Sequence, residues 1–218
     1  MPVGRSSQDY QHNLPAALTS FVGRERELAD VKWLLGSTRL LTLTGSGGVG
    51  KTRLALELGW NVLPDYPDGV WLVDLAPLGD PSLVPYVAAT ALGVREAPGR
   101  SVTDVLADVL RPHHMLLILD NCEHLVDACA SLADALLRSC PELQIVATGR
   151  QSLSLAGETA WRVPSLSLPW PPRPAPEMPI TQYEAVRLFL DRANAAATFM
   201  ATRHEHAIGL HADDTFAR

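Results

Sequence analysis

Residues 40–58 pass through three patterns in immediate succession: a short apolar stretch, Leu40-Leu-Thr-Leu-Thr44; a glycine-rich octet, Gly45-Ser-Gly-Gly-Val-Gly-Lys-Thr52; and a helical periodicity, Lys51-Thr-Arg-Leu-Ala-Leu-Glu-Leu58. Few folds accommodate that order. The octet matches G-x-x-x-x-G-K-[ST] in full, and it needs a strand to deliver it and a helix to receive it. Its small residues let the backbone N–H groups of Gly45, Ser46, Gly47, Gly48, Val49 and Gly50 converge on an anion, and the helix N-terminus adds the positive end of its dipole. Lys51 is expected to reach the β- and γ-phosphates of a nucleotide, the Thr52 hydroxyl to ligate Mg2+, and Arg53 to add a nearby cation. A purely structural glycine turn is the competing reading. The flanking strand and helix argue against it.

The rest of the chain alternates in kind. Short apolar runs predict strands over 39–44, 69–75, 115–120, 143–148 and 159–163. Helical spacing falls between them: over 24–35, from the Asp80-Pro81 cap to about Leu92, over 101–110 behind Ser101 and an imperfect box at Asp104, and over 121–138. Strands alternating with helices imply an α/β fold with a parallel, helix-covered sheet. Ligands of such sheets bind beyond the strand C-termini. The octet, Asp120 and Thr148-Gly-Arg150 all fall at those ends, so three separate segments are expected to meet at one rim.

Asp120 closes the apolar run Met115-Leu-Leu-Ile-Leu-Asp120, where a carboxylate is suited to hold Mg2+ opposite Thr52; capping of the next helix is the plainer alternative. Asn121 follows, and an amide can orient an attacking water but cannot take its proton. Glu123 is the nearest carboxylate. It is read either as the catalytic base or as an acid that merely favours a first helical turn, and His124 beside it as a packing or capping residue. Arg150 shares the rim with Lys51, and a guanidinium there could contact the γ-phosphate and sense its loss; a solvated arginine after a turn glycine is the alternative. His204, His206, His211, Asp213 and Asp214 match no tetrahedral metal spacing and are read as a polar terminus.

A net charge of −6 argues against a chain whose main business is coating nucleic acid or an anionic membrane. No stretch approaches a membrane span, and the first residues lack the apolar segment of a secretory signal. Cys122, Cys129 and Cys140 are an odd set, read as reduced, partly buried thiols of a cytoplasmic protein. The expected organisation is a strap over 1–20, a nucleotide-binding domain over 21–168, a proline-rich linker over 169–180, the start of a helical subdomain over 181–197, and a divergent tail over 198–218.

Taken together, the stretch from Asn13 to Glu25, LTLTGSGGVGKTRLALEL, WLVDLAPLGDP, LLILDNCEH and IVATGR resemble the STAND-class ATPases. The likeness is to the NB-ARC-like, AAA+-related module of large bacterial transcriptional regulators of the AfsR/SARP and LuxR types. The resemblance implies a three-layer P-loop NTPase core with a five-stranded parallel sheet flanked by helices. It also implies an ATP/ADP switch, closed with ADP and permitted by ATP to self-associate or to engage regulator domains in trans, with slow hydrolysis of ATP to ADP and phosphate. By matched position, Val22, Gly23 and Arg24 would lie near the adenine and ribose. Gly45–Thr52 would be the Walker A loop, Asp120 the Mg2+ carboxylate and Arg150 the γ-phosphate sensor. Gly149 departs from the Thr-Ser-Arg common in relatives and loosens the turn that presents Arg150. Relatives continue into a helical subdomain with a Gly-Leu-Pro-Leu-type motif, and here the likeness ends near Ala197, as in a truncated module. Two other functions stand beside the switch: a fast-cycling ATPase enzyme and an inactive fragment. Direct DNA binding by the chain is not expected.

Overall fold

In a computed structural model, which describes residues 10–169 and 179–197, the apolar runs become five parallel strands. They are β1 (Leu40–Thr44), β2 (Val70–Asp74), β3 (Met115–Asp120), β4 (Leu143–Gly149) and β5 (Glu158–Arg162), ordered β2-β3-β4-β1-β5. The proline-rich stretch of 170–178 and the histidine-bearing tail from 198 lie outside the described residues.

Every residue of β3 is buried, as a central strand covered on both faces requires. Its side chains alternate. Leu117 and Leu119 join Leu132 and Leu136 of α5 (Val126–Ser139) in one core, to which α3 (Val84–Ala91) and α4 (Val102–Leu110) contribute Ala88 and Leu106. Leu116 and Ile118 are equally buried but face the other way, toward α2 (Lys51–Val62). There the helix lies close: a β-carbon on Gly59 would stand 3.0 Å from Ile118 Cδ1. With α1 (Glu25–Leu35) packed beside α2, the sheet is sandwiched between two helical layers. The three-layer α/β core with five parallel strands, implied by the resemblance, is therefore the observed fold.

Two helix starts differ from expectation. The Asp80 carboxylate does accept from the Ser82 N–H at 2.9 Å, but Pro81–Leu83 form a 3-10 turn and the α-helix begins only at Val84. Pro85 explains this, because a residue without an N–H is tolerated in the first helical turn and not deeper. Likewise α5 starts at Val126 rather than Asn121: Asn121 is left-handed (φ 64°) and Cys122–His124 make a separate 3-10 turn. Asparagine is among the few residues that visit this region readily. Ser101 caps α4 as expected, its hydroxyl accepting from the Asp104 N–H at 3.1 Å.

The outer edge of β2 is occupied by the N-terminal segment. The Gln11 carbonyl accepts from the Val70 N–H at 3.2 Å, and the Asn13 amide both accepts from the Leu72 N–H (2.6 Å) and donates to the Leu72 carbonyl (2.8 Å). Gly69, at φ 95°, makes this possible, since any β-carbon there would run into the Gln11 carbonyl.

The described residues divide into two units: those up to Ala16 with Glu25–Pro164, and Ala17–Arg24 with those from Ser165 on. Ser20 is bound into the second unit, donating from its hydroxyl to Asp191 at 2.7 Å and accepting at its carbonyl from Arg192 at 2.9 Å. That unit contains a helix over 184–197. At its start the Glu184 carboxylate accepts from the Ser167 N–H (2.9 Å), and the Ser167 hydroxyl accepts from the Glu184 N–H (2.9 Å). The Ser167 N–H, outweighing partial burial, holds the Glu184 carboxyl below its ordinary range.

Candidate nucleotide-binding site

Strand order sets the geometry of the rim. Because β4 runs between β1 and β3, Asp120 stands two strand spacings, about 10 Å, from the strand that carries the glycine loop. The first turn of α2 closes that gap. Thr52 donates its hydroxyl to the Asp120 carboxylate, 2.8 Å from Oδ1 and 3.0 Å from Oδ2. Thr148, at the end of the intervening strand and 1% exposed, donates to Asp120 Oδ1 at 2.6 Å and accepts from the Asn121 N–H at 2.9 Å. One buried hydroxyl thus fixes both the carboxylate and the left-handed residue after it. The sequence put Thr148 on the expected rim but gave its hydroxyl no role; that role follows from its place at the end of the strand between β1 and β3.

The loop itself is built for close approach. Gly50 precedes α2 in a left-handed conformation (φ 93°), and no side chain caps the helix there, so its first N–H groups face the cavity without a protein oxygen from a capping residue. Lys51 is 9% exposed, and its Nζ donates to the carbonyls of Gly45 (3.0 Å) and Ser46 (3.2 Å). Glu123 Oε2 lies 4.0 Å from that ammonium and 3.3 Å from Arg150 Nε. Arg150 arches back over the loop, with Nη2 3.9 Å from where a β-carbon on Gly47 would stand. The open cavity there is about 490 Å³, within the range of small-molecule sites, and its lining includes Gly47, Gly48, Gly50, Lys51, Thr52 and Arg53 together with Asn121, Glu123 and Thr148.

Lys51, Thr52, Arg53, Asp120, Glu123 and Arg150 are thus brought to one rim. Val22, Gly23 and Arg24 belong to the second unit, where the Arg24 N–H donates to Glu184 Oε1 at 3.4 Å and Gly23 packs on the Glu184 side chain. His124 is turned to another task, its Nε2 2.6 Å from the Leu78 carbonyl in the loop after β2. The three cysteines are free thiols, all buried.

The donors at Thr52 and Asp120 suit Mg2+. A hydroxyl and a carboxylate are hard oxygen ligands, and this ion is typically held by one or two carboxylates with substrate phosphates and water completing the shell. Among the described residues no group of three or more His, Cys, Asp or Glu forms an all-protein metal cage.

A glycine loop after β1, a helix receiving it and a strand-end carboxylate beyond one intervening strand define a P-loop NTPase core. Comparison with known proteins gives the class its setting. The chain is 43% identical over 198 residues to an uncharacterized protein of Mycobacterium tuberculosis, covering 91% of this chain and 47% of that protein. It is 48% identical over 161 residues to a putative HTH-type transcriptional regulator of the same species (74% and 17% covered), and 32% identical to the regulatory protein AfsR of Streptomyces coelicolor (57% and 15%). The chain therefore spans about half the length of the first of these relatives and a small part of the regulators. No protein-family model matches it. Solved structures similar to it include a STAND protein with a tetratricopeptide repeat sensor from Pyrococcus horikoshii (16% identity, 75% of this chain and 25% of that one, TM-score 0.47). Another is the ORC2 protein of Aeropyrum pernix (17%, 66% and 48%, TM-score 0.47). The chain is thus similar to a segment of the putative HTH-type regulator and of AfsR, the kind of protein its motifs resemble. Among the described residues no helix is long and apolar enough to cross a membrane.

Proposed function

We propose that the chain is a nucleotide-operated switch module that binds ATP and ADP with Mg2+, hydrolyses ATP slowly, and serves transcriptional control in the cytoplasm. The observation that supports this reading is a cavity at the C-terminal rim of the sheet lined by Lys51 and Thr52, with Asp120 bonded to Thr52 and Arg150 paired with Glu123 of the cavity lining. In this reading Lys51 exchanges its bonds to the Gly45 and Ser46 carbonyls for β- and γ-phosphate oxygens, and the uncapped start of α2 receives the phosphate chain. Thr52 and Asp120 would hold the ion, with Thr148 orienting the carboxylate. The chemistry Mg2+ supplies there is neutralisation of the phosphate oxygens. Arg150 would contact the γ-phosphate.

Slow rather than rapid turnover is favoured by the groups beside the cavity. Asn121, next to Asp120, can orient water without accepting its proton, and the Glu123 carboxylate is engaged by Arg150. Self-association or engagement of regulator domains in trans would be the output of such a switch. Calorimetric titration of the chain with ADP and ATP, with and without Mg2+, tests the reading against Lys51→Ala. The variant should bind at least about tenfold more weakly, the worth of a hydrogen bond to a charged group. Wild-type turnover should stay far below the ~10 per second of an ordinary enzyme. Equal binding by the variant would refute the proposal.

A further inference from the structure

We propose that Glu123 is a specificity-determining residue that sets the preference of this site between nucleoside triphosphate and diphosphate, by occupying the cations a terminal phosphate requires. The inference rests on the nucleotide-binding reading above and adds a discriminating element to it. One oxygen, Glu123 Oε2, lies 3.3 Å from Arg150 Nε and 4.0 Å from Lys51 Nζ, so a single negative group spans the two cations of the rim. The carboxylate is well sheltered, at 22% side-chain exposure, and Glu123 lines the same cavity as the glycine loop. A carboxylate lodged between a guanidinium and an ammonium has the charge and the acceptor oxygens of a terminal phosphate in the same position.

Its backbone setting makes it a fixed device rather than a wandering side chain. Glu123 sits in the 3-10 turn Cys122–His124, which follows left-handed Asn121. That turn is tied at three points: the Asn121 N–H to Thr148, the Cys122 thiol to the Leu119 carbonyl at 3.4 Å, and the His124 ring to the Leu78 carbonyl. A β-carbon added to Gly149 would lie 3.9 Å from the Glu123 N, so the segment carrying Arg150 runs directly beside the turn. A diphosphate reaches the loop amides and Lys51 without needing the Arg150 guanidinium. A triphosphate must take Arg150 from Glu123 and tolerate a second anion beside it. The carboxylate therefore weakens ATP more than ADP.

Titration calorimetry of the full chain and of Glu123→Gln, with ADP and with a β,γ-imido analogue of ATP in the presence of Mg2+, tests the assignment. The amide keeps the shape and removes the charge. Affinity for the analogue should rise about tenfold and that for ADP about twofold or less, so that the ratio of the two moves toward triphosphate. In an Arg150→Ala background the same substitution should move the ratio less than threefold, because the contested cation is gone. A Glu123→Gln chain that folds with the wild-type thermal midpoint yet keeps the wild-type ratio, or that gains equally for both nucleotides, overturns the inference while leaving nucleotide binding intact. Failure of the wild-type chain to bind either nucleotide overturns both.

Discussion

Thr148→Val is the substitution with the most definite consequence for the fold of the rim. Valine has the shape of threonine without the hydroxyl, so no cavity opens at a position that is 1% exposed. Two bonds go at once: the 2.6 Å donation to Asp120 Oδ1 and the 2.9 Å acceptance from the Asn121 N–H. The first is a hydrogen bond to a carboxylate, worth about 1.5–3 kcal/mol. The second leaves a backbone N–H without its acceptor on a left-handed residue, a loss of about 1–3 kcal/mol. The two share one hydroxyl and will not sum in full, so a net loss of about 3 kcal/mol is expected. For a chain of this size that corresponds to a midpoint roughly 6–12 °C lower in thermal unfolding. Denaturation followed by circular dichroism measures it, with Thr148→Ser, which keeps the hydroxyl, as the reference. A valine variant within about 1 kcal/mol of the serine variant would refute the claim that this hydroxyl organises the end of β3.

Two further outcomes follow from features away from the cavity. Gly69→Ala should cost more than about 2 kcal/mol in urea denaturation, since the β-carbon meets the Gln11 carbonyl and the backbone sits at φ 95°; a neutral result would mean the N-terminal segment does not lie along β2. Burial, reinforced by the charge of Asp65, raises the Tyr66 phenol far above its ordinary value, and its hydroxyl donates to Gln144 Oε1 at 2.5 Å. The folded state therefore resists ionisation that the unfolded chain permits: the contribution is complete below pH ~10 and lost as pH rises beyond it. Tyr66→Phe should flatten the alkaline limb of the stability–pH curve, and an unchanged limb would count against it.

The sheet was legible because its strands are marked by composition. Met115-Leu-Leu-Ile-Leu-Asp120 is apolar without interruption, as a strand buried on both faces must be, and the octet after Thr44 admits few settings. What stayed hidden was long-range and polar. Asn121 reads equally well as the first residue of a helix, and its left-handed turn depends on an acceptor, Thr148, 27 residues away. Placing Glu123 in a helical turn followed from that error, and its actual position between Arg150 and Lys51 depends on the turn. Thr148 itself is an ordinary strand residue until the order β3-β4-β1 puts its end between the loop and Asp120. The pairing of Ser167 with Glu184 across the proline-rich stretch is equally invisible to periodicity.

The Asn13 side chain offers Leu72 a carbonyl oxygen and an N–H in the manner of a peptide unit, and together with the Gln11 carbonyl on Val70 it caps the β2 side of the sheet. Lateral growth of the sheet, whether by exchange of a strand with a second copy or by templated stacking, is thereby blocked on that flank. Replacing Asn13 with a residue lacking the amide would leave the Leu72 N–H and carbonyl open to an incoming strand.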